Sequence, residues 1–437
     1  VDWDDAAIAR ELDKLAPQED DIADVFAERL TEISIPWRDG SPGDPRIRRE
    51  AGTAARRRAR GAERLAFVSG AGEEAARAAV RTLLGEKPAR SGRPVAAGTP
   101  ETGAAEASRW VRRLPALLAR HAPRHRLRLR ILHAERHVVA ARRPPADFAR
   151  RLVSVEGIVV AASRLGDEDR LFSFHAPDAG QVADELRTAL VEAAAPRARP
   201  VPAVPGAIDV LLARGCAAVL FHEILAHTLE ADAERSPLSD AGDAPLTVTD
   251  LDVRDDPRRL DLFGGYERDD EGTAPRAVKL IQSGRLGSRL ADRSTGGRSG
   301  STGHGRRAAA SEPPQPRSAN IVVTAGSASS EELVRRLGNG LWVDEIHAGS
   351  VEPSSGVFRL AFQRARRVSR GRLAEEIGAG YLYGEMRAAL RGIEPVLGRE
   401  VHACRTLGWC ARDGRVLPVQ GEAPDVLVRG LSMRPSR

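Results

Sequence analysis

The sequence predicts an α+β protein. An N-terminal helix/sheet domain is followed by a mostly antiparallel β domain that carries one helix with an unusual polar cluster. Three observations lead there. Helical spacing and period-two alternation are interleaved over residues 1–195. The proline-rich stretch PRARPVPAVPGA then interrupts the pattern, which makes 196–206 the expected linker. In 207–437 the runs beyond Ala233 are mostly strand-like, and before them stands one apolar helical run, CAAVLFHEILAHTLEAD, holding His222, Glu223 and His227.

In chain order, residues 6–16 (AAIARELDKLA) have helical spacing, whereas 21–33 mix helix and strand signals. Residues 72–84 read as a helix and the Pro/Gly-rich 88–104 as a loop. ASRWVRRLPALLARHA reads as an amphipathic helix. Residues 126–143 alternate polar and apolar and read as two strands, 153–165 as another, and 182–194 as a helix. IDVLL looks like a buried strand leading into the His-bearing helix. The runs APLTVTDLDV, AVKLIQSGRL, ANIVVTAG, LWVDEIHAGSV, GVFRLAFQRARRV and DVLVRGLSM follow as strands. The helix SEELVRRL ends on a glycine cap signal, and 291–317 is a long polar Gly/Ser/Arg loop.

The chain has 437 residues, 42% of them hydrophobic, enough for two or three ordinary domains with a real core. No apolar run approaches the roughly 18–20 residues of a membrane span. The acidic N-terminus lacks the basic start and apolar core of a signal peptide, so a cytoplasmic location is expected. Three cysteines (Cys216, Cys404, Cys410) are too few and odd in number for a disulfide framework. The net charge is +6, nearly all of it from arginine, since Lys14, Lys87 and Lys279 are the only lysines.

In FHEILAHTLEAD, two histidines flank a glutamate inside an apolar helix. Burying all three without partners would cost several kcal/mol, so a metal is the economical reading. The spacing carries a geometric condition. Residues five apart differ by about 140° around a regular α-helix, and residues four apart by about 40°. His222 and His227 therefore converge only if the helix is distorted, as by a π-bulge. Spacing leaves the third ligand open between Glu230, Asp232 and a distant cysteine. Glu223 suits a general base.

Several ordered blocks resemble the TldD/PmbA metallopeptidases, once called modulators of DNA gyrase. They are VLFHEILAHTLEAD, YERDDEGTAP, STGHGRRAAA, NGLWVDEIHAGSVEPSSGVFRL and LGWCARDGRVLPVQGEAPDVLVRGLSM, spread over about 206–437. The resemblance implies one zinc ion per chain held by His222, His227 and Cys410, with Glu223 as the catalytic glutamate. It implies cleavage of small or unfolded peptides, by a homodimer or by a heterodimer with a paralogue that lacks the motif. Asp270, Glu271, Gly272 and Thr273 become candidates for the substrate cleft, and Arg306 or Arg307 for oxyanion stabilisation. The chain departs from the family pattern at Ala226, Thr228 and Ala411, where glycine is common.

Two rival readings stand beside this one. The basic stretch 109–151 could face phosphates, but no aromatic residue interleaves RLRLRI to stack bases, so nucleic acid is not the expected partner. A catalytically silent scaffold with a structural zinc is the other, motivated by the lost glycines.

Overall fold

A computed structural model of the chain describes residues 3–85, 124–163, 166–176, 179–194, 205–233, 237–240, 242, 244–247 and 250–435. It is α+β, as expected, with strands far outnumbering helices. The loop expected at 88–104 and the helix expected at 107–122 lie outside the described residues. No helix among those described is long and apolar enough to cross a membrane.

The chain forms two compact units. The first comprises Val1–Pro196 together with Tyr266–Pro275 and Ala291–Gln315; the second comprises Arg197–Gly265, Arg276–Leu290 and Pro316–Arg437. Two excursions from the second half of the sequence thus cluster with the first unit, an arrangement that reading in chain order does not anticipate.

The first unit is built on an antiparallel sheet in the order Ala62–Ser69, Arg46–Ala59, Ile22–Arg38, His125–Ala140, Ala146–Ser163, Gly166–Ala176. The ambiguous segment at 21–33 is a strand because it is paired on both sides, Ile33 lying opposite both Ile47 and Ile131. Local propensity yields to this pairing. The alternating segment 126–143 forms one continuous strand, His125–Ala140, rather than two. Its alternation aims Leu127, Leu129 and Ile131 at the core, and the chain turns only afterwards, where Arg142 takes a positive φ of 58°. The Arg-rich hairpin Arg46–Ala59 and Ala62–Ser69 carries little apolar pattern and is held by its pairing.

Among the described residues, three helices cover this sheet. The helix Asp5–Leu15 is capped by the Asp4 carboxylate, which accepts from the Ala7 N–H at 3.0 Å. It buries Ile8, Leu12 and Leu15 with Val80 and Leu83 of the helix Glu73–Leu83. The helix Ala179–Ala194 buries Val182, Leu186 and Leu190 against Val153, Val155 and Phe174.

In the second unit the strands Gly340–Glu352, Gly206–Leu212, Val426–Pro435, Gly380–Glu385 and Val357–Ser369 pair in sequence. Pairing of the last with the first closes a five-stranded ring, and Arg372–Ile377 lies outside it. A second sheet runs Arg285–Leu286, Val278–Gln282, Val253–Asp255, Asn320–Val323, Gln420–Pro424, Val401–Ala403. Of the strand expected at 244–253, the described residues pair regularly only from Val253 onward. The helix Ser330–Leu337 ends as expected on Gly338, at φ 69°. The His-bearing helix packs on Gln420–Pro424, Asn320–Val323 and Gly340–Glu352, and its apolar residues from Ala217 to Leu229 join the main core of this unit.

Candidate metal centre

The helix starts at Ala217–Phe221 and then widens. Over His222–Ala226 it is a π turn, closed by the His227 N–H donating to the His222 carbonyl, and α geometry resumes at His227–Leu229. This is the distortion the five-residue spacing demands. It brings the two imidazole centroids to 4.8 Å, with the rings at 74°. A widened turn leaves carbonyls short of partners. The Thr228 hydroxyl satisfies two of them, donating to Ile224 and Leu225 at 2.9 and 3.1 Å. Thr228 therefore folds back on its own helix. Ala226 is part of the apolar core, and Ala411 is exposed on a hairpin.

That hairpin, Trp409–Arg412 with Arg415–Pro418, delivers Cys410. Its Sγ lies 3.2 Å from His227 Nε2, and one ligand atom from each of His222, His227 and Cys410 falls within 4.8 Å of the others. Each imidazole is backed on its far nitrogen. His227 Nδ1 lies 3.6 Å from Glu230 Oε2, and His222 Nδ1 lies 3.5 Å from the Ser318 hydroxyl. The Ser318 hydroxyl in turn donates to Asp255 at 2.5 Å. Such backing fixes the tautomer and aim of ligand histidines.

The electrostatics suit a cation. Burial alone would raise the Cys410 thiol, but His227 and His222 hold it well below the ordinary range, so it is poised as a thiolate. Burial alone would lower His227, but Cys410 and Glu230 raise it well above the usual value. Glu230 resists burial through its hydrogen bond and charge contact with His227, aided by Arg317 and Arg412, and is held down to about 2.

Glu230 and Asp232 were open as third ligands. The structure engages both elsewhere: Arg412 Nη1 lies 2.7 Å from Glu230 and 2.8 Å from Asp232, and Glu230 also meets Arg317 at 3.4 Å. Cys216 and Cys404 are buried, and burial pushes both thiols up, as befits small core residues.

Glu223 is buried beside the cluster. Burial raises its carboxyl, partly offset by His222 and His227. Its place depends on Gly349, which no sequence motif singles out. A Cβ at 349 would stand 2.4 Å from Glu223 Oε1, so only glycine leaves the carboxylate its position. The signal was present in the AGSV segment, but nothing local ties that glycine to a helix more than a hundred residues earlier.

The other expected residues fall in the first unit, in a buried charge network. Glu271 accepts from Arg56 Nη2 at 2.5 Å, and Arg56 also pairs with Asp24 at 2.5 Å. Asp270 accepts from Arg136 at 2.8 Å and from the Arg307 N–H at 2.7 Å. Arg307 pairs with Asp24 at 3.1 Å and donates to the Glu312 carbonyl at 2.9 Å. Arg306 lies over the Tyr266 ring at 5.3 Å. Gly272 occupies a positive-φ turn, whose neighbour Thr273 accepts from Arg143 at 3.3 Å. Gly305 is required because a Cβ there would meet Glu271 Oε2 at 2.4 Å. These contacts explain the DDEG and GHGRR segments as the two halves of one buried lock. The oxyanion role expected of Arg307 finds no support in them, because its guanidinium is committed to Asp24 and the Glu312 carbonyl.

A family profile described as the PmbA/TldA metallopeptidase C-terminal domain matches residues 205–434. A protein named "Metalloprotease" from Methanothermobacter thermautotrophicus is 28% identical over 237 residues, covering 53% of this chain and 51% of the relative. A "Zinc metalloprotease TldD homolog" from Saccharolobus solfataricus is 26% identical over 236 residues, 52% of each. The chain thus spans about half the length of the curated relatives it matches. The crystal structure of TldE from Thermococcus kodakarensis has the same fold, with a TM-score of 0.73 at 15% identity, covering 98% of this chain and 99% of that one.

Proposed function

The chain belongs to the TldD/PmbA family of metallopeptidases, and on that premise we propose that it is a zinc-dependent peptidase acting on small or unfolded peptides. The observation that carries this reading is the convergence of His222 and His227, aligned by the π turn, with Cys410 from the hairpin, and Glu223 beside them. Two imidazoles and a thiolate suit zinc, and three protein ligands are the usual complement of a catalytic rather than a structural site.

His222 and His227, each backed on Nδ1, and the Cys410 thiolate would hold the ion. When bound, zinc supplies Lewis-acid polarisation of a scissile carbonyl and a lowered pKa for water. The protein's own residues do the rest. Glu223, raised by burial, takes a proton from the attacking water and returns it to the departing amine. Glu230 and Ser318 hold the two imidazoles in place. Residues 347–352 of the strand Gly340–Glu352 lie beyond its short parallel pairing with Gly206–Leu212, which ends at Val343, and beyond Ile346, whose carbonyl accepts from the Thr406 hydroxyl. A peptide main chain added along that edge, beside Gly349, would be recognised with little side-chain preference. By the family resemblance the working form is a dimer, either of this chain or with a paralogue lacking the motif.

Turnover of an unfolded reporter peptide should fall to less than about a tenth after chelation and return when zinc is added. Undiminished turnover in metal-free protein would contradict the proposal.

A further inference from the structure

Two consecutive residues where the polar loop ends, Arg317 and Ser318, contact Cys410 and His222 directly and reach His227 through Glu230. Both are buried. Arg317 Nη2 donates to Cys410 Sγ at 3.3 Å and to the Cys410 carbonyl at 3.3 Å. Its Nη1 donates to the Arg415 carbonyl at 3.4 Å, on the opposite strand of the hairpin. Its Nε lies 3.4 Å from Glu230, the carboxylate behind His227. Ser318 stands behind His222, and its backbone N–H donates to Glu230 at 3.2 Å.

We infer that the Arg317–Ser318 dipeptide is the positioning element of the metal centre, aligning the hairpin's thiolate with the helix's two imidazoles. The inference rests on the reading that His222, His227 and Cys410 bind a metal. The ligands come from segments far apart in sequence, Cys410 lying 183 residues from His227. A rigid planar guanidinium with a fork of donors can fix a sulfur and a carboxylate at once, which a flexible ammonium does not. Balancing the charge of Glu230 does not by itself require Arg317, because Arg412 already meets that carboxylate at 2.7 Å. What Arg317 adds is contact with the sulfur and with both strands of the hairpin. By donating to the thiolate it also withdraws electron density that the sulfur would otherwise give the metal.

The test is cobalt(II) loading of the full chain, read by thiolate-to-cobalt charge-transfer absorption and by chelator competition. Wild type should show the band; its absence would sink the metal-site reading itself, and this inference with it. With the band present, Arg317→Ala should bind cobalt about 10–100-fold more weakly, with the band moved to lower energy. Arg317→Lys should fall between the two. Ser318→Ala should weaken binding but leave the band in place, because it touches an imidazole and not the sulfur. A merely structural role would lower stability in all three without this split. An Arg317→Ala protein with wild-type affinity and an unmoved band would overturn the proposal. If Arg317→Ala does not fold, Arg317→Lys decides by the same two readouts, and a band and affinity identical to wild type would overturn it equally.

Discussion

Glu223→Gln is expected to lower kcat/KM for peptide hydrolysis by about 10²–10⁴-fold while leaving the metal content unchanged. The amide is nearly isosteric, so it fits the space that Gly349 leaves open, where an added Cβ would stand 2.4 Å from Oε1. It cannot accept and return a proton. Glu223 is not among the three residues whose ligand atoms converge, so its replacement does not dismantle the centre. Activity and metal content must therefore be measured on the same preparation. A variant that keeps near-normal turnover would remove Glu223 from the mechanism. A variant that loses its metal would make Glu223 a ligand rather than a base. The experiment also excludes the scaffold reading if it succeeds, since a closed structural zinc has no turnover to lose.

The second large effect is on stability and concerns the first unit. Arg56 is fully buried and pairs with two buried carboxylates, Asp24 and Glu271, each at 2.5 Å. Arg56→Met should cost about 3–5 kcal/mol in urea unfolding followed by a probe in this unit. The cost comes mainly from the carboxylates left behind without their shared cation. Arg307 at 3.1 Å and Arg293 at 3.3 Å still face Asp24, so the network is weakened and not erased. Adding Glu271→Gln to Arg56→Met should recover part of the loss, because it removes one of the stranded charges. A single variant as stable as wild type would mean that the network is not load-sharing and that these residues answer to another demand.

How much of this was legible in the sequence differs from residue to residue. A distorted helix, as by a π turn, followed from the five-residue spacing of His222 and His227, because a regular α-helix points the two apart. Cys410 was reached through the family resemblance alone. The hairpin that presents it has no local metal signature, and spacing could not choose between it and Glu230 or Asp232. Glu230 stands three residues beyond His227, within side-chain reach of it, which is why it backs that imidazole. Arg317, Ser318, Asp255 and Gly349 went unread, since each acts through contacts that only tertiary folding creates. Asp270 to Thr273 became cleft candidates, and Arg306 or Arg307 oxyanion candidates, through the family resemblance and not through any local signal. Chain order could not reveal that both segments cluster with the first unit, where Asp24 and Arg56 are contributed by the N-terminal strands. The strand Ile22–Arg38 was ambiguous for a related reason: its identity comes from the neighbours on both sides.

The central claim is that His222, His227 and Cys410 together hold one zinc ion. Its most direct test is elemental analysis of the chain purified without a histidine tag, as wild type, His227→Ala and Cys410→Ala. About one zinc per wild-type chain, and little in either variant, is the expected result. A wild-type chain that carries no zinc, and takes up none when it is supplied, would contradict it.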